Sequence, residues 1–463
     1  MKPLDIIVAT QFADTGIANN NKLPWPRLTQ DLLYFKQTTT TCSTNKINVI
    51  LMGRKTWDTL PKALPNRLNY VLTSSSRENY DNVYFFNSID EALETANRDI
   101  RVEYIYIIGG EIIYNTIFNQ YSAFIRYIYQ TVVKGPVIYD CNKFFNPDWS
   151  FYTKLTELKI VDQNHNLTFN VFIHKNEEES NYLKLIENIL SNGDERMDRT
   201  GVGTKALFGT RISFDISKRI PLLTTKRVPW KTMLRELLWF ISGSTDVSVL
   251  QQNKVHIWDG NTSREYLDKI GLTDKPTGWL GPVYGHQWRH FNAPYTTATT
   301  DYKGQGVDQI ANVIELIKTN PTSRRLLVSA WNPAQQTEMS LPPCHYSFQF
   351  FVRQGEYLDC LVNQRSVDIA LGAPFNFASY AFLTYMVAHV TNLQPGRLTF
   401  SFGDTHIYST HYEGLKEQIK RMPYSFPTLT IVRNVTNIND FTERDFKVNY
   451  YKFHPTIKMT MAV

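Results

Sequence analysis

Cysteine is scarce in this chain. Four residues, Cys42, Cys141, Cys344 and Cys360, are spread over 463 positions. They lie too far apart for a close metal-ligand pair and are too few for a disulfide framework. A reducing, cytoplasmic compartment fits best, and no metal site is expected. No apolar run approaches the roughly 18 residues that cross a bilayer, so no membrane segment is expected. The opening residues Met1-Lys2-Pro3-Leu4-Asp5 run straight into a strand-like segment. They lack the charged lead, apolar stretch and cleavage site of a secretory signal. A dense basic stripe and a known nucleic-acid-binding module are both missing, which argues against nucleic acid as a partner, and there is no internal repeat or low-complexity tract.

What is present is ordinary folding material: 42% hydrophobic and 20% charged residues, enough for two cores. The length suggests two or three domains. A formal net charge of +6 suits a mildly basic housekeeping protein. It also suits an anionic substrate, since positive fields concentrate phosphates and carboxylates.

The first part alternates strand and helix. Strand-like runs at Asp5–Thr10, Asn48–Gly53, Leu68–Ser74 and Tyr104–Gly109 are separated by helical patterns at Thr29–Thr38, Ser88–Asn97 and Glu111–Phe118. This order predicts an α/β domain, a mostly parallel central sheet with flanking helices. Ser88 to Glu91 has the spacing of a capping box. Two more strands, Phe151–Val161 and Leu167–His174, are joined by a turn expected at Asn164-His165-Asn166. A polar, acidic stretch then marks a boundary. The expected division is residues 1–175, a short linker at 176–181, and residues 182–463. The second part reads as α+β, with apolar helices at Trp230–Ser242 and Phe377–Thr391. Its strands are expected at Arg324–Trp331, His345–Val352 and Leu398–Phe402.

Three clusters in the first part carry chemistry. Asp31 begins a helix beside Leu32, Leu33, Tyr34 and Phe35. It is either a carboxylate favoured by the helix dipole or a pocket group that binds a protonated heterocycle. Gly53-Arg54-Lys55-Thr56 ends a strand in glycine, cations and a helix start, which favours phosphate. Gly109-Gly110 allows close backbone approach of a ligand, though most glycine pairs are only turns. In the second part, Cys344 opens a strand. A lone cysteine is usually a buried structural residue, but nearby arginines could lower its pKa. Arg199, Arg324, Arg325 and Arg365 are candidates, and with Ser366 they could equally form a phosphate cradle. Glu236 is an acid crowded by Leu237, Leu238, Trp239 and Phe240, rarely tolerated without a partner or a function.

Taken together and in order, the first clusters resemble dihydrofolate reductase over roughly residues 1–175. The match extends through Ile7-Val8-Ala9, Leu23-Pro24-Trp25, Leu64-Pro65-Asn66-Arg67 and Leu72-Thr73-Ser74. The resemblance implies NADPH as cofactor and dihydrofolate as substrate. Asp31 would hold the pterin and support its protonation, with Thr131 and Ala9 beside it. Phe35 would stack on the aminobenzoate and Arg67 would pair with the glutamate. Gly53, Arg54, Lys55 and Thr56 would meet cofactor phosphates, and Thr73 and Ser74 the 2′-phosphate, with Arg77 a further candidate. Gly109, Gly110 and Tyr114 would line the cofactor. Ala18 stands where the family often has glycine.

Residues 180–463 resemble thymidylate synthase. The carriers include Thr224-Thr225-Lys226-Arg227, Glu236–Phe240, Leu280–Gly285, Pro343-Cys344-His345, Gln364-Arg365-Ser366, Pro374-Phe375-Asn376 and Gly403–Tyr408. The resemblance implies reductive methylation of dUMP with 5,10-methylenetetrahydrofolate as substrate. Cys344 would be the nucleophile and Glu236 the proton manager. Arg199, Arg365 and Ser366 would hold the phosphate, with Arg324 and Arg325 supplied by the partner in a homodimer. Asn376 would read the uracil, and His406 and Tyr408 the ribose. Trp258, Asp368 and Val463 would enclose the folate. Asn363 stands where a tyrosine is frequent. The whole resembles a protist-type fusion of the two families. The alternative is an active synthase carrying a weak or regulatory reductase domain.

Overall fold

The structure, a computed structural model, describes residues 2–75, 77–121, 124–149, 152–197 and 201–460. The chain divides into two compact units, Met1–Lys175 and Asn176–Val463. Among the described residues, no helix is long and apolar enough to cross a membrane.

In chain order the first unit contains β1 (Leu4–Gln11), β2 (Gly16–Ala18), α1 (Thr29–Thr40), β3 (Ile47–Gly53), α2 (Arg54–Trp57), β4 (Arg67–Leu72) and β5 (Val83–Phe86). It continues with α3 (Ile89–Arg98), β6 (Val102–Gly109), α4 (Glu111–Tyr121), β7 (Ile125–Lys134), β8 (Lys143–Phe144), β9 (Tyr152–Asp162) and β10 (His165–His174). One sheet has the order β5-β4-β3-β6-β1-β7-β10-β9. All its pairs are parallel except β7–β10 and β10–β9. The strands β1, β3 and β6 read as near-continuous apolar runs because parallel strands are covered on both faces.

Strands β5 and β7 were not expected. The alternation of β7 is broken by Arg126, which is held by Asp5. That carboxylate is fully buried in β1 and accepts from the Arg126 Nε at 2.9 Å. A buried charge persists here because it is paired and hydrogen-bonded. The Ser88 hydroxyl caps α3 by accepting the Glu91 N–H, whereas the Glu91 carboxylate turns back to Asn87. The β9–β10 turn is Gln163-Asn164, with Gln163 in the left-handed region; His165 and Asn166 already pair with Asp162 and Val161.

The second unit contains α5 (Glu177–Asn192), β11 (Asp194–Arg196), β12 (Thr204–Asp215), α6 (Trp230–Ile241), α7 (Val247–Gln252), α8 (Arg264–Lys269), α9 (Tyr284–His290) and α10 (Gln309–Thr319). Then follow β13 (Leu327–Ser329), β14 (His345–Arg353), β15 (Tyr357–Asp368), α11 (Gly372–Val390), β16 (Gln394–Tyr408), α12 (Tyr412–Gln418), β17 (Thr428–Ile431) and β18 (Phe446–Asn449). Its main sheet runs β11-β12-β16-β15-β14-β13, with only β15–β16 parallel.

Three expectations change here. Residues 176–181, read as a linker, are the N-cap and opening turns of α5: the Asn176 side chain accepts the Glu179 N–H at 3.0 Å. Acids in a first turn stabilise a helix, so a polar composition hides one. The helix expected from Phe377 starts five residues earlier, with Pro374 in its first turn, where no N–H is needed. The strand expected at Arg324–Trp331 shrinks to β13, leaving both arginines in the preceding turn.

The helix α11 is apolar on all sides and packs on α6, β15 and β16. Phe377 is fully buried, with ring centres of Phe214 and Phe400 at 4.8 and 5.0 Å. Phe377→Ala is expected to destabilise the second unit by about 3–5 kcal/mol. Urea denaturation checks this, and a change below about 1 kcal/mol would mean the core relaxes around the gap.

Candidate active sites

In the first unit, the carboxyl ends of the parallel strands open into two adjoining cavities, of about 250 and 640 Å³. This is where open α/β sheets bind ligands. Ile17, Ala18, Asn21, Thr56 and Gly110 are common to both walls. The smaller holds Asp31, Phe35, Ala9 and Thr131 together. Thr131 lies opposite Ala9 in the β1–β7 register. Burial raises the Asp31 carboxyl above its ordinary range. A hydrogen bond from Thr131 opposes this, and the nearby Asp162 carboxylate raises it further. Arg67 does not line this cavity. It stands behind Phe35, with its guanidinium 5.8 Å from the ring centre, and donates to Thr39 Oγ1 at 2.7 Å and to the Pro65 carbonyl at 3.0 Å.

The larger cavity is lined by Gly53, Arg54, Lys55, Thr56, Thr73, Ser74 and Gly110. Three cations, Arg54, Lys55 and Lys143, the last paired with Glu111, and three hydroxyls in one wall fit an anionic dinucleotide. Gly109 and Tyr114 lie on the smaller cavity instead. Gly109 has φ +114°, a conformation that favours glycine, and a Cβ there would also crowd the Tyr114 ring at 3.3 Å. The Tyr114 hydroxyl donates to the Ile7 carbonyl at 2.9 Å. Arg77 lies over the Phe85 ring, 5.5 Å from its centre, and is not part of the wall. Asn87 and Lys143 line the larger cavity and were not anticipated.

In the second unit, strand register gathers the groups. His345 pairs with Gln364, Ser366 with Asp404, and Asp368 with His406. Cys344, Arg365–Ser366 and His406 thus occupy neighbouring ends of β14, β15 and β16. Arg365 Nη2 lies 3.8 Å from the Cys344 sulfur and donates to the Pro342 carbonyl at 2.7 Å, while the Arg365 N–H donates to the Cys344 carbonyl at 2.9 Å. His406 Nδ1 meets Asp404 at 2.8 Å, and the Tyr408 ring stands edge-on to the imidazole. Asp368 accepts the Ala370 and Leu371 N–H groups and so turns the chain into α11, whose second turn carries Asn376.

Glu236 projects from α6, and Trp258 Nε1 donates to its carboxylate at 2.8 Å. Burial pushes its pKa up to about 7, against the Trp258 bond, which lowers it. Tyr284, given no role from sequence, joins the parts. Its phenol oxygen accepts the Cys344 N–H at 2.8 Å, and its ring stacks on His345 with centres 4.0 Å apart. Burial holds the His345 imidazole neutral, its pKa pushed down to about 3. The signal for Tyr284 was its place in Leu280–Gly285. Lys226 was likewise missed: it is buried and its ammonium donates to the Ala370 carbonyl, on the Asp368 turn. Arg324 and Arg325 are exposed and are not brought to Cys344 within this chain. Arg199 and Val463 lie outside the described residues.

Comparison with known families gives one match for each unit: the dihydrofolate reductase model matches residues 4–175 and the thymidylate synthase model residues 180–463. The chain belongs to the bifunctional dihydrofolate reductase–thymidylate synthase family. It is 42% identical to bifunctional dihydrofolate reductase-thymidylate synthase 1 of Arabidopsis thaliana, covering 99% of this chain and 96% of that one. The bifunctional enzymes of Paramecium tetraurelia and Leishmania major are 41% and 39% identical, covering 99% and 100% of this chain and 98% and 96% of theirs.

The raised pKa of Glu236 carries a stability consequence. Below its ordinary value of 4.5 the group is protonated whether the chain is folded or not. Between about pH 4.5 and 7 the unfolded chain ionises while the folded chain keeps its proton, so stability falls through that window and the full deficit, on the order of 3 kcal/mol, is present above about pH 7. Glu236→Gln, which keeps an acceptor for Trp258, should raise the urea midpoint at about pH 8 and leave it unchanged at about pH 4. Equal midpoints at both would show that the carboxyl is well solvated.

Proposed function

We propose that the second unit methylates dUMP with 5,10-methylenetetrahydrofolate, that the first returns the resulting dihydrofolate to tetrahydrofolate, and that the residues above carry the two reactions. The observation that supports this most is the register that sets Cys344 beside Arg365, Ser366 and His406. A cation at the sulfur favours the thiolate. The thiolate adds to uracil C6, which makes C5 nucleophilic toward the folate methylene. Glu236, able to hold or release a proton near neutral pH, serves the proton transfers at the uracil and the folate. C5 loses its proton as the methylene–folate nitrogen bond breaks; hydride from the released tetrahydrofolate then completes the methyl group as the thiolate leaves, giving dTMP and dihydrofolate. Asn376 can donate to uracil O4 and accept from N3–H, which favours uracil over cytosine. Arg365, Ser366 and Arg199 hold the phosphate, His406 and Tyr408 the ribose, and Trp258, Asp368 and Val463 the folate.

In the first unit, Asp31 with Thr131 holds the pterin and sustains its protonation at N5. Phe35 and Ala9 orient the ring system, and Arg67, behind Phe35, would pair with the glutamate. Gly53 to Thr56, Thr73 and Ser74 would hold the phosphates of NADPH, and Gly109, Gly110 and Tyr114 its ring. NADPH supplies the hydride when bound. The chain's own task is alignment and exclusion of water.

A homodimer is part of the reading. Arg324 and Arg325 sit exposed in the turn before β13, so a second copy could bring them to the phosphate. A reducing cytoplasm suits a thiolate nucleophile.

Single substitutions in the full-length chain separate the two reactions. Cys344→Ala should abolish tritium release from labelled dUMP and leave dihydrofolate-dependent NADPH oxidation unchanged. Asp31→Asn should lower reductase kcat/KM by about 10²-fold or more and spare the synthase. Loss of both activities from either substitution would contradict the assignment of two independent sites.

A further inference from the structure

The helix that carries Asp31 starts without a cap of its own. Its N-cap residue, Leu28, has no side-chain acceptor, although the first N–H groups of a helix need one. The acceptor comes from β9. Asp162, its last residue, takes the Gln30 N–H at 2.7 Å. The next residue, Gln163, donates from Nε2 to the Arg27 carbonyl at 3.3 Å. The β9–β10 hairpin therefore grips the chain on both sides of Leu28. Asp162 is itself almost wholly buried, at 9% exposure. Its carboxylate is bonded to the residue immediately before Asp31.

Two carboxyl groups thus share one helix start. From β7, Asp31 meets the Thr131 hydroxyl, and among the described charged groups Asp162 is the one that acts on it. Lys22 and Tyr34 line the same cavity. A neighbouring like charge disfavours ionisation. A cap made by an uncharged residue would anchor α1 equally well without that effect.

We propose that Asp162 is a positioning residue for the reductase: it anchors the start of α1 and, as a second negative charge beside Asp31, keeps on Asp31 the proton that the pterin requires. The proposal rests on Asp31 acting as the carboxyl of the reductase site. It makes the far hairpin, and not only the cavity wall, a determinant of the pH range over which the enzyme works.

The test is the pH dependence of dihydrofolate reduction by the full-length enzyme with saturating NADPH, between about pH 5 and 9, for the parent, Asp162→Asn, Asp162→Glu and Asp31→Asn. Asp162→Asn keeps an acceptor for the Gln30 N–H but removes the charge. Its alkaline limb should move to lower pH, so that the fractional loss of kcat is larger at pH 8 than at pH 6, with KM for NADPH unchanged. Asp162→Glu should restore the parental limb. The unchanged KM for NADPH in the same preparations reports that the reductase unit is folded. An unmoved limb in Asp162→Asn, or an equal loss at every pH, overturns the proposal. If Asp31→Asn itself keeps the parental rate and profile, the reading of Asp31 fails instead.

Discussion

In each unit one carboxyl is half-buried beside a hydrogen-bond donor: Asp31 with Thr131, and Glu236 with Trp258. Burial penalises the charged form, so both groups retain a proton at higher pH than an exposed acid would. A solvated carboxylate at either place would be a weak proton donor near neutral pH. The surroundings follow from this requirement. In the first unit α1 lays Asp31 over an apolar wall built by Ile7, Val8 and Phe35. In the second, the helix that carries Glu236 is buried through Met233, Leu234 and Leu237 and packs against α11, which has no polar face.

Strand geometry supplies the remaining groups. Parallel strands end together, and the first unit uses this at Gly53 and Gly109, the final residues of β3 and β6. The main sheet of the second unit is otherwise antiparallel, yet the pair that carries Arg365, Ser366 and His406 is its one parallel pair. Side chains from separate segments are thereby aligned without long loops. Tyr284 then ties the Cys344 backbone to the helix side of the site, through one hydrogen bond and one ring stack. Such support from rigid elements keeps the Cys344 sulfur beside the Arg365 guanidinium.

Much of this is legible in the amino-acid sequence alone. The strands β1, β3 and β6 announce themselves because parallel strands covered on both faces must be apolar throughout. The motif residues around Asp31, Gly53, Gly109, Cys344, Arg365 and His406 fall at strand ends or helix starts, as their chemistry demands. What the sequence hides depends on partners remote along the chain. Arg126 hides β7, because its charge is acceptable only beside Asp5. The acids after Lys175 look like a linker until Asn176 is seen to cap them. Tyr284, Lys226 and Asp162 act through single bonds to residues 60, 144 and 132 positions away, which no local pattern encodes. Arg67 is the reverse case: its motif is plain, but its place behind Phe35 is not.

That two desolvated acids serve one closed reaction sequence in a single chain is tested most directly by dUMP-dependent NADPH oxidation. The purified enzyme would be given dUMP, 5,10-methylenetetrahydrofolate and NADPH, with no added dihydrofolate. One NADPH should be consumed for each dTMP formed, and none when dUMP is left out. Formation of dTMP with dihydrofolate accumulating and NADPH untouched would contradict it.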